Sequence, residues 1–228
     1  MDTLIQENLI KLRSRVKAAC ERCGRRPEEI TIVGVTKTYP AHVVTDVVAA
    51  GLSDIGESRI QEAEAKFGQT GHIARYHLIG HLQSNKAKKA VQLFDVIQSV
   101  DSFDIANEIS RRAGELEKSI EGLIEINSSG EEQKYGVGPE RALDLMAQVM
   151  ALPHLRVVGF MTVGPLTDEP MRIRESFSLC HELFERAQRD FGPQITTLSM
   201  GMSLDFEIAI EQGSTLLRIG TSLFGSRA

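Results

Sequence analysis

The chain has 228 residues, of which 42% are hydrophobic and 25% charged, and it carries a formal net charge of -5. That size buries a substantial core, and the acidic balance argues against a broad nucleic-acid or anionic-membrane surface. No segment is apolar over the roughly 20 residues that a membrane helix needs.

The first residues, Met1 to Glu7, lack the basic and apolar regions of a signal peptide. Three cysteines, Cys20, Cys23 and Cys180, make no disulfide framework, so a reduced, cytoplasmic protein is expected.

In chain order, Leu4, Ile5, Leu9, Ile10, Leu12, Val16 and Ala19 have helical spacing and predict an opening amphipathic helix. Strand-like and helix-like segments then alternate. Strands are predicted at Ile30–Val35, Ser53–Gly56, Arg75–Ile79, Phe94–Val100, Leu123–Ile126, Leu155–Val163, Ile195–Leu198 and Leu216–Ile219. Helices are predicted at Ala41–Ala50, Arg59–Phe67, after Asn85, from a cap at Asp101 or Ser102 to about Lys118, from Pro139 to Met150, Glu175–Phe191 and Leu204–Gln212. A short helix is expected near Thr221. Eight strands separated by helices favour a closed (β/α)8 barrel, with an open doubly wound sheet as the alternative. The opening helix would cover the barrel where a final helix is missing. No linker or low-complexity tract interrupts the pattern, so a single domain over 1–228 is expected.

Lys37 ends the apolar run Ile32-Val33-Gly34-Val35-Thr36 and precedes Thr38-Tyr39-Pro40. In a barrel, reactive groups gather where strands end, and phosphate often sits after the seventh and eighth strands. Those loops hold Ser199-Met200-Gly201-Met202-Ser203 and Gly220-Thr221-Ser222. Glycine permits close backbone approach, and the hydroxyls of Ser199, Ser203, Thr221 and Ser222 add donors. The plainer reading is that both are ordinary turns and Lys37 a solvated strand end. A closed barrel makes the first and last strands neighbours, which brings a partly desolvated amine beside a phosphate cradle. Those features suit a phosphorylated carbonyl compound held as an imine, and pyridoxal 5'-phosphate (PLP) fits best. Arg218, in an otherwise apolar strand, needs a partner: a core carboxylate such as Glu125, or a heteroaromatic nitrogen.

Other patterns carry less. Cys20-Glu21-Arg22-Cys23 has CxxC spacing without a second metal pair, and His77 and His81 flank a strand end rather than share a helix face. No metal site is expected. Lys86-Ala87-Lys88-Lys89 reads as a solvated helix face.

The chain resembles the YggS/PROSC family of PLP-binding proteins. The segments that carry the likeness are Val33–Pro40, Tyr76–Lys86 with its Gly80-His81-Leu82-Gln83-Ser84-Asn85-Lys86 block, Ile126–Glu132, Gly159–Thr162, Leu198–Asp205 and Arg218–Gly225. The resemblance implies a barrel similar to the N-terminal domain of alanine racemase, with PLP as an internal aldimine at Lys37. It implies phosphate binding by Ser199, Gly201, Met202, Ser203, Gly220 and Thr221, and Arg218 near the pyridine nitrogen. It also implies a monomer that carries or buffers PLP without robust catalysis, in contact with amino acids and with PLP-dependent apoenzymes. Only ten residues follow Arg218, too few for the second domain of such racemases. The alternative is a racemase or lyase using Tyr39, His81 or Lys86 as acid/base, and a PLP-free aldolase at Lys37 is a further one. Ser58 and Arg59 depart from the family's usual asparagine and aromatic residue, which adds a charge at the rim.

Overall fold

A computed structural model describes residues 3–131 and 133–225. Glu132, within one of the segments above, lies outside them. Eight parallel strands close into a barrel in sequence order: β1 (Thr31–Val35), β2 (Asp54–Glu57), β3 (Arg75–Leu78), β4 (Val96–Val100), β5 (Ile120–Ile126), β6 (Leu155–Thr162), β7 (Thr197–Ser199) and β8 (Leu216–Ile219). Helices α2 (Ala41–Ala49), α3 (Ile60–Thr70), α4 (Ala87–Leu93), α5 (Phe103–Glu115), α6 (Ala142–Val149), α7 (Pro170–Phe191) and α8 (Phe206–Glu211) link successive strands. The four-residue α9 (Thr221–Phe224) follows β8. The closed form of the two topologies is therefore the one adopted.

Element types agree with the sequence pattern, while several ends move. Helix α7 starts at Pro170 rather than Glu175, because proline suits a first helical position where no N–H is required. Pro139 opens a 3-10 turn, Pro139–Arg141, that feeds α6. Strand β7 is shifted to Thr197–Ser199. Ser102 occupies the N-cap of α5, but its hydroxyl donates to Asp101 instead of accepting from the helix.

Most apolar side chains pack between the barrel wall and the helices. The opening helix α1 (Thr3–Arg22) joins this layer through Ile5, Leu9, Leu12, Val16, Ala19 and Cys20. It rests on the closing elements: Asn8 donates to the carbonyl of Leu223 at 3.0 Å, Arg15 lies over the Phe206 ring, and Arg22 pairs with Glu211. Cys23 donates its thiol to carbonyls of its own helix turn, and burial pushes the Cys20 thiol up. All three cysteines are free, and the described residues hold no cluster of three or more metal-ligating side chains.

Inside the barrel the packing is different. Leu123, Val158 and Met161 form a small apolar cluster of their own. Strand alternation sends Leu78, Ile97, Leu198 and Leu217 toward the helices and turns His77, Gln98, Ser199 and Arg218 inward. Such a polar barrel interior is a departure from the usual filling of branched aliphatic residues.

Gly159 shows how closely two strands meet. Its φ is +152°, and a Cβ there would stand 1.8 Å from the carbonyl oxygen of Thr197 in β7. Gly159→Ala is expected to cost about 3 kcal/mol or more, from backbone strain and a clash that no rotamer relieves. Urea unfolding measures it, and a loss below about 1 kcal/mol would show that the β6–β7 contact gives way freely.

Candidate functional site

Closure of the barrel sets β1 against β8, with Val33 beside Arg218 and Gly34 beside Ile219. The chain leaves β1 through Thr36 and enters a turn at Lys37 and Thr38, where Thr38 takes φ +69°. A left-handed threonine is a strained position that its surroundings must hold.

The holding groups lie between the barrel and α3. Glu57, at the end of β2, is fully buried, and Lys66 on α3 is nearly so. Lys66 Nζ donates to Glu57 Oε1 and Glu62 Oε1, both at 2.7 Å, and to the carbonyl of Thr36 at 2.5 Å. The hydroxyl of Thr36 donates to the same Glu57 oxygen at 2.5 Å, and the backbone N–H of Thr38 donates to Glu62. One ammonium and two carboxylates thus fasten both neighbours of Lys37. Thr36 faces outward to Glu57, and Lys37 follows it in the turn at the C-terminal end of β1, half-buried. Burial, opposed by Lys66 and Thr36, leaves the Glu57 carboxyl above its ordinary range.

Across the mouth stand the two glycine turns. Gly201 has φ +97°, and a Cβ on it would lie 2.5 Å from that of Ala209, so the turn requires glycine. The carbonyl of Gly201 accepts from Arg218 N–H at 3.0 Å, and Met202 N–H donates to buried Asp205 at 2.5 Å. Burial raises the Asp205 carboxyl against these contacts. Ser203 Oγ accepts the N–H of Ser222 at 3.1 Å, which ties the β7 loop to the β8 loop. Among the described residues no protein acceptor meets the N–H groups of Ser203 and Thr221. Gly220 lies beside Val35, where a Cβ would make ordinary contact at 3.7 Å with its carbonyl oxygen. Tyr39 packs on Phe224 and donates its hydroxyl to the Gly225 carbonyl, which binds the Lys37 loop to the chain's last turn.

Arg218 is 4% exposed and lies beneath this mouth. Its Nη1 donates to the carbonyl and hydroxyl oxygens of Ser199 at 2.8 and 2.6 Å, and its Nη2 to the carbonyl of Thr162 at 2.7 Å. Burial lowers its pKa to about 10 against the nearby carboxylates Asp205 and Glu125, which leaves it cationic at neutral pH.

The sequence pattern "Alanine racemase, N-terminal domain" matches residues 8–228. The pyridoxal phosphate homeostasis protein of Aquifex aeolicus is 39% identical over 222 residues, covering 97% of each chain. That of Escherichia coli K12 is also 39% identical, covering 98% of this chain and 97% of its own. The chain belongs to the pyridoxal phosphate homeostasis proteins. PipY of Synechococcus elongatus, solved with PLP bound, is 34% identical with a TM-score of 0.83, covering 97% of this chain and all of its own. An alanine racemase of Clostridium difficile shares the fold, with a TM-score of 0.80 at 15% identity, and this chain spans 59% of its length.

The geometry corrects one expectation and leaves one of the two alternatives for Arg218 without a direct contact. Ser199 does not offer its hydroxyl to the mouth. It points into the barrel, accepts from Arg218 and donates to Gln98 at 2.7 Å. Among the described residues Glu125 makes no ion pair with Arg218, which donates instead to Ser199 and Thr162. Glu125 instead lines a cavity of about 180 Å³ with Asn127, Gln133, Lys134 and Tyr135. Its Oε2 is buried without a partner among the described residues. Burial, with Asp101 adding repulsion and Arg218 opposing, pushes its carboxyl to about 7. His81 stacks on Tyr135 at 3.9 Å and lies 3.3 Å from Asp101, while Arg59 is exposed at the start of α3. Lys66 escaped the sequence reading, and Glu57 and Glu62, which flank the departures at Ser58 and Arg59, were given no role in it. The one available signal was a lysine at i+4 from Glu62, which usually marks a solvated pair.

Lys66→Met strands Glu57 without its cation, and about 3 kcal/mol of stability should be lost, with most of it restored when Glu57→Leu is added. Urea unfolding of the single and double variants checks both statements. For Glu125, a folded pKa of about 7 against an ordinary 4.5 means the folded state holds the extra proton between those values. Stability should therefore fall as pH rises from about 4.5 to about 7 and level off above. Glu125→Gln should remove that fall, which melting curves across pH would record.

Proposed function

We propose that the chain holds pyridoxal 5'-phosphate at the C-terminal mouth of the barrel, joined covalently to Lys37, and acts as a carrier or buffer of the cofactor in vitamin B6 and amino-acid balance. The observation that carries this reading is the register of β1 on β8, which gathers Lys37, the two glycine turns and one buried guanidinium around a single opening. The residues fit the group by charge and shape. An amine stands at one side, an anion cradle of the hydroxyls and backbone N–H groups of Ser203 and Thr221 at the other, and a donor-only cation lies below.

Bound PLP supplies an aldehyde carbon open to amine attack and an electron-withdrawing ring. The chain's own residues then divide the work. The Lys66–Glu57–Glu62 cluster holds the turn that carries Lys37, whose amine would attack the aldehyde carbon. The turns at 201–203 and 220–222 would hold the phosphate. Arg218, cationic at neutral pH, would donate to the ring nitrogen of the bound group and oppose its protonation. That weakens electron withdrawal by the ring and favours holding the cofactor over carbanion chemistry. Tyr39, one candidate for an opposing acid/base in a racemase reading, already donates its hydroxyl to Gly225. A monomer that passes the cofactor to PLP-dependent apoenzymes belongs to the same reading.

The test is visible absorbance of purified protein with added PLP, before and after borohydride, followed by peptide mass mapping. An absorbing adduct trapped on the Lys37 peptide is expected, and Lys37→Ala should abolish it while keeping the fold. Trapping on a different lysine in the unmutated protein would refute the assignment. Arg218→Gln should shift the band, whereas sustained turnover of an amino acid would favour the racemase or lyase alternative.

A further inference from the structure

Five strands each send one polar side chain into the barrel, and these five join end to end. Arg218 Nη1 (β8) meets Ser199 Oγ (β7) at 2.6 Å, and Ser199 Oγ meets Gln98 Oε1 (β4) at 2.7 Å. Gln98 Nε2 meets His77 Nδ1 (β3) at 2.9 Å, and His77 Nε2 meets Asp54 Oδ1 (β2) at 3.0 Å. Ser199 and Gln98 are fully buried and His77 is 2% exposed. The far end opens at the barrel base, where Asp54 lines a cavity of about 300 Å³ with Arg75, Glu121 and Arg156. Burial would raise the Asp54 carboxyl, yet bonds from His77 and Ser53 hold it below its ordinary range.

The chemistry of the two ends gives this chain a direction. A guanidinium only donates, and an ionised carboxylate only accepts. Ser199 Oγ receives a proton from Arg218 and so spends its own on Gln98 Oε1. The amide then presents Nε2 to His77, whose Nδ1 must accept. The imidazole therefore keeps its proton on Nε2 and donates a hydrogen bond from there to Asp54. Every proton points from the mouth toward the base. A proton on His77 Nδ1 would face the Gln98 amino group and force the amide to turn over. Ser199 Oγ would then meet donors on both sides, with its own proton displaced. Each reversed link leaves a buried polar group unmatched, at roughly 1–3 kcal/mol.

We propose that Gln98 and His77, which lie in the barrel interior below the mouth, are positioning residues that orient the Arg218 guanidinium and set its pull on the ring nitrogen of bound PLP. This rests on the PLP reading and extends it to the barrel interior. Ser199 and the Thr162 carbonyl hold two corners of the guanidinium plane, and the fixed acceptor character of Ser199 depends on Gln98 taking its proton. Asp205 and Glu125 are the other charged groups that act on Arg218. A purely structural role for the chain would require only that each group be satisfied, in either direction.

The experiment compares wild type, Gln98→Glu, Gln98→Leu and the control Ser110→Ala, a buried hydroxyl on α5 outside the chain. Nitrogen-15 NMR of the protein without PLP reads the His77 tautomer. Visible absorbance of the PLP-loaded protein is titrated with pH, and circular dichroism checks the fold. Wild-type His77 is expected as the neutral Nε2–H form, and Gln98→Glu should convert it to the doubly protonated ring. Both Gln98 variants should move the midpoint of the absorbance titration by about half a pH unit or more. Gln98→Leu should also weaken PLP binding by about threefold to tenfold. Ser110→Ala should do neither. A His77 proton on Nδ1 in wild type, or folded Gln98 variants with an unmoved titration, overturns the proposal. Should Gln98→Leu fail to fold, the near-isosteric Gln98→Glu and the wild-type tautomer decide. A wild type that forms no adduct overturns the PLP reading and this proposal together, whereas a normal adduct with unmoved variants overturns this proposal alone.

Discussion

The closing of β1 on β8 is the constraint on which the rest depends. Those strands are the first and last of the sheet, and an open sheet of eight strands would hold them roughly 30–35 Å apart. Closure pairs Val33 with Arg218 and Gly34 with Ile219. The turn after β1 then shares a mouth with the turn after β8. Helix α1 protects this seam from outside, through Asn8 on Leu223 and its ion pairs to α8. Backbone pairing, rather than any single side chain, makes the site possible.

On that frame, two polar systems flank the Lys37 turn. One lies outside the sheet, where Lys66 binds Glu57, Glu62 and the Thr36 carbonyl. The other lies inside, where Arg218 starts the chain that ends at Asp54. Buried charges rarely add net stability over apolar packing of equal volume. Their value here is geometric: each holds a backbone turn or a guanidinium plane in one orientation, so little rearrangement is needed when a ligand binds. The left-handed Thr38 is affordable because Glu62 holds its N–H.

Holding a cofactor and using it make opposite demands on the ring nitrogen. A carboxylate beneath the ring would favour its protonation and strengthen electron withdrawal, whereas a guanidinium does the reverse. In the proposed reading Arg218 would be the cation there, walled by the neutral carbonyl and hydroxyl oxygens of Ser199 and Thr162. The buried Glu125 sits beside the same mouth without a direct partner, close enough to act on Arg218 through space. The balance among Arg218, Asp205 and Glu125 sets the local field into which PLP would enter.

The alternation of β-branched runs with amphipathic helices, readable in the sequence, specified the number and order of elements, because each strand and helix declares itself through local periodicity. Lys37 was legible as a lysine at a strand end, and Gly201 and Gly220 as turns, since backbone dihedral needs are local. Strand ends shifted by a few residues where caps and prolines competed. What the sequence could not declare was which side chains meet across the barrel. Ser199 and Gln98 are 101 residues apart, and Ser199 looked like one more phosphate-loop hydroxyl until the inward pleat of β7 turned it toward Arg218. Lys66 looked like half of a surface pair until α3 laid it over Glu57 and Thr36. Local pattern determines what each segment becomes. Only closure of the sheet decides the partners, because hydrogen bonds between distant segments depend on register and pleat.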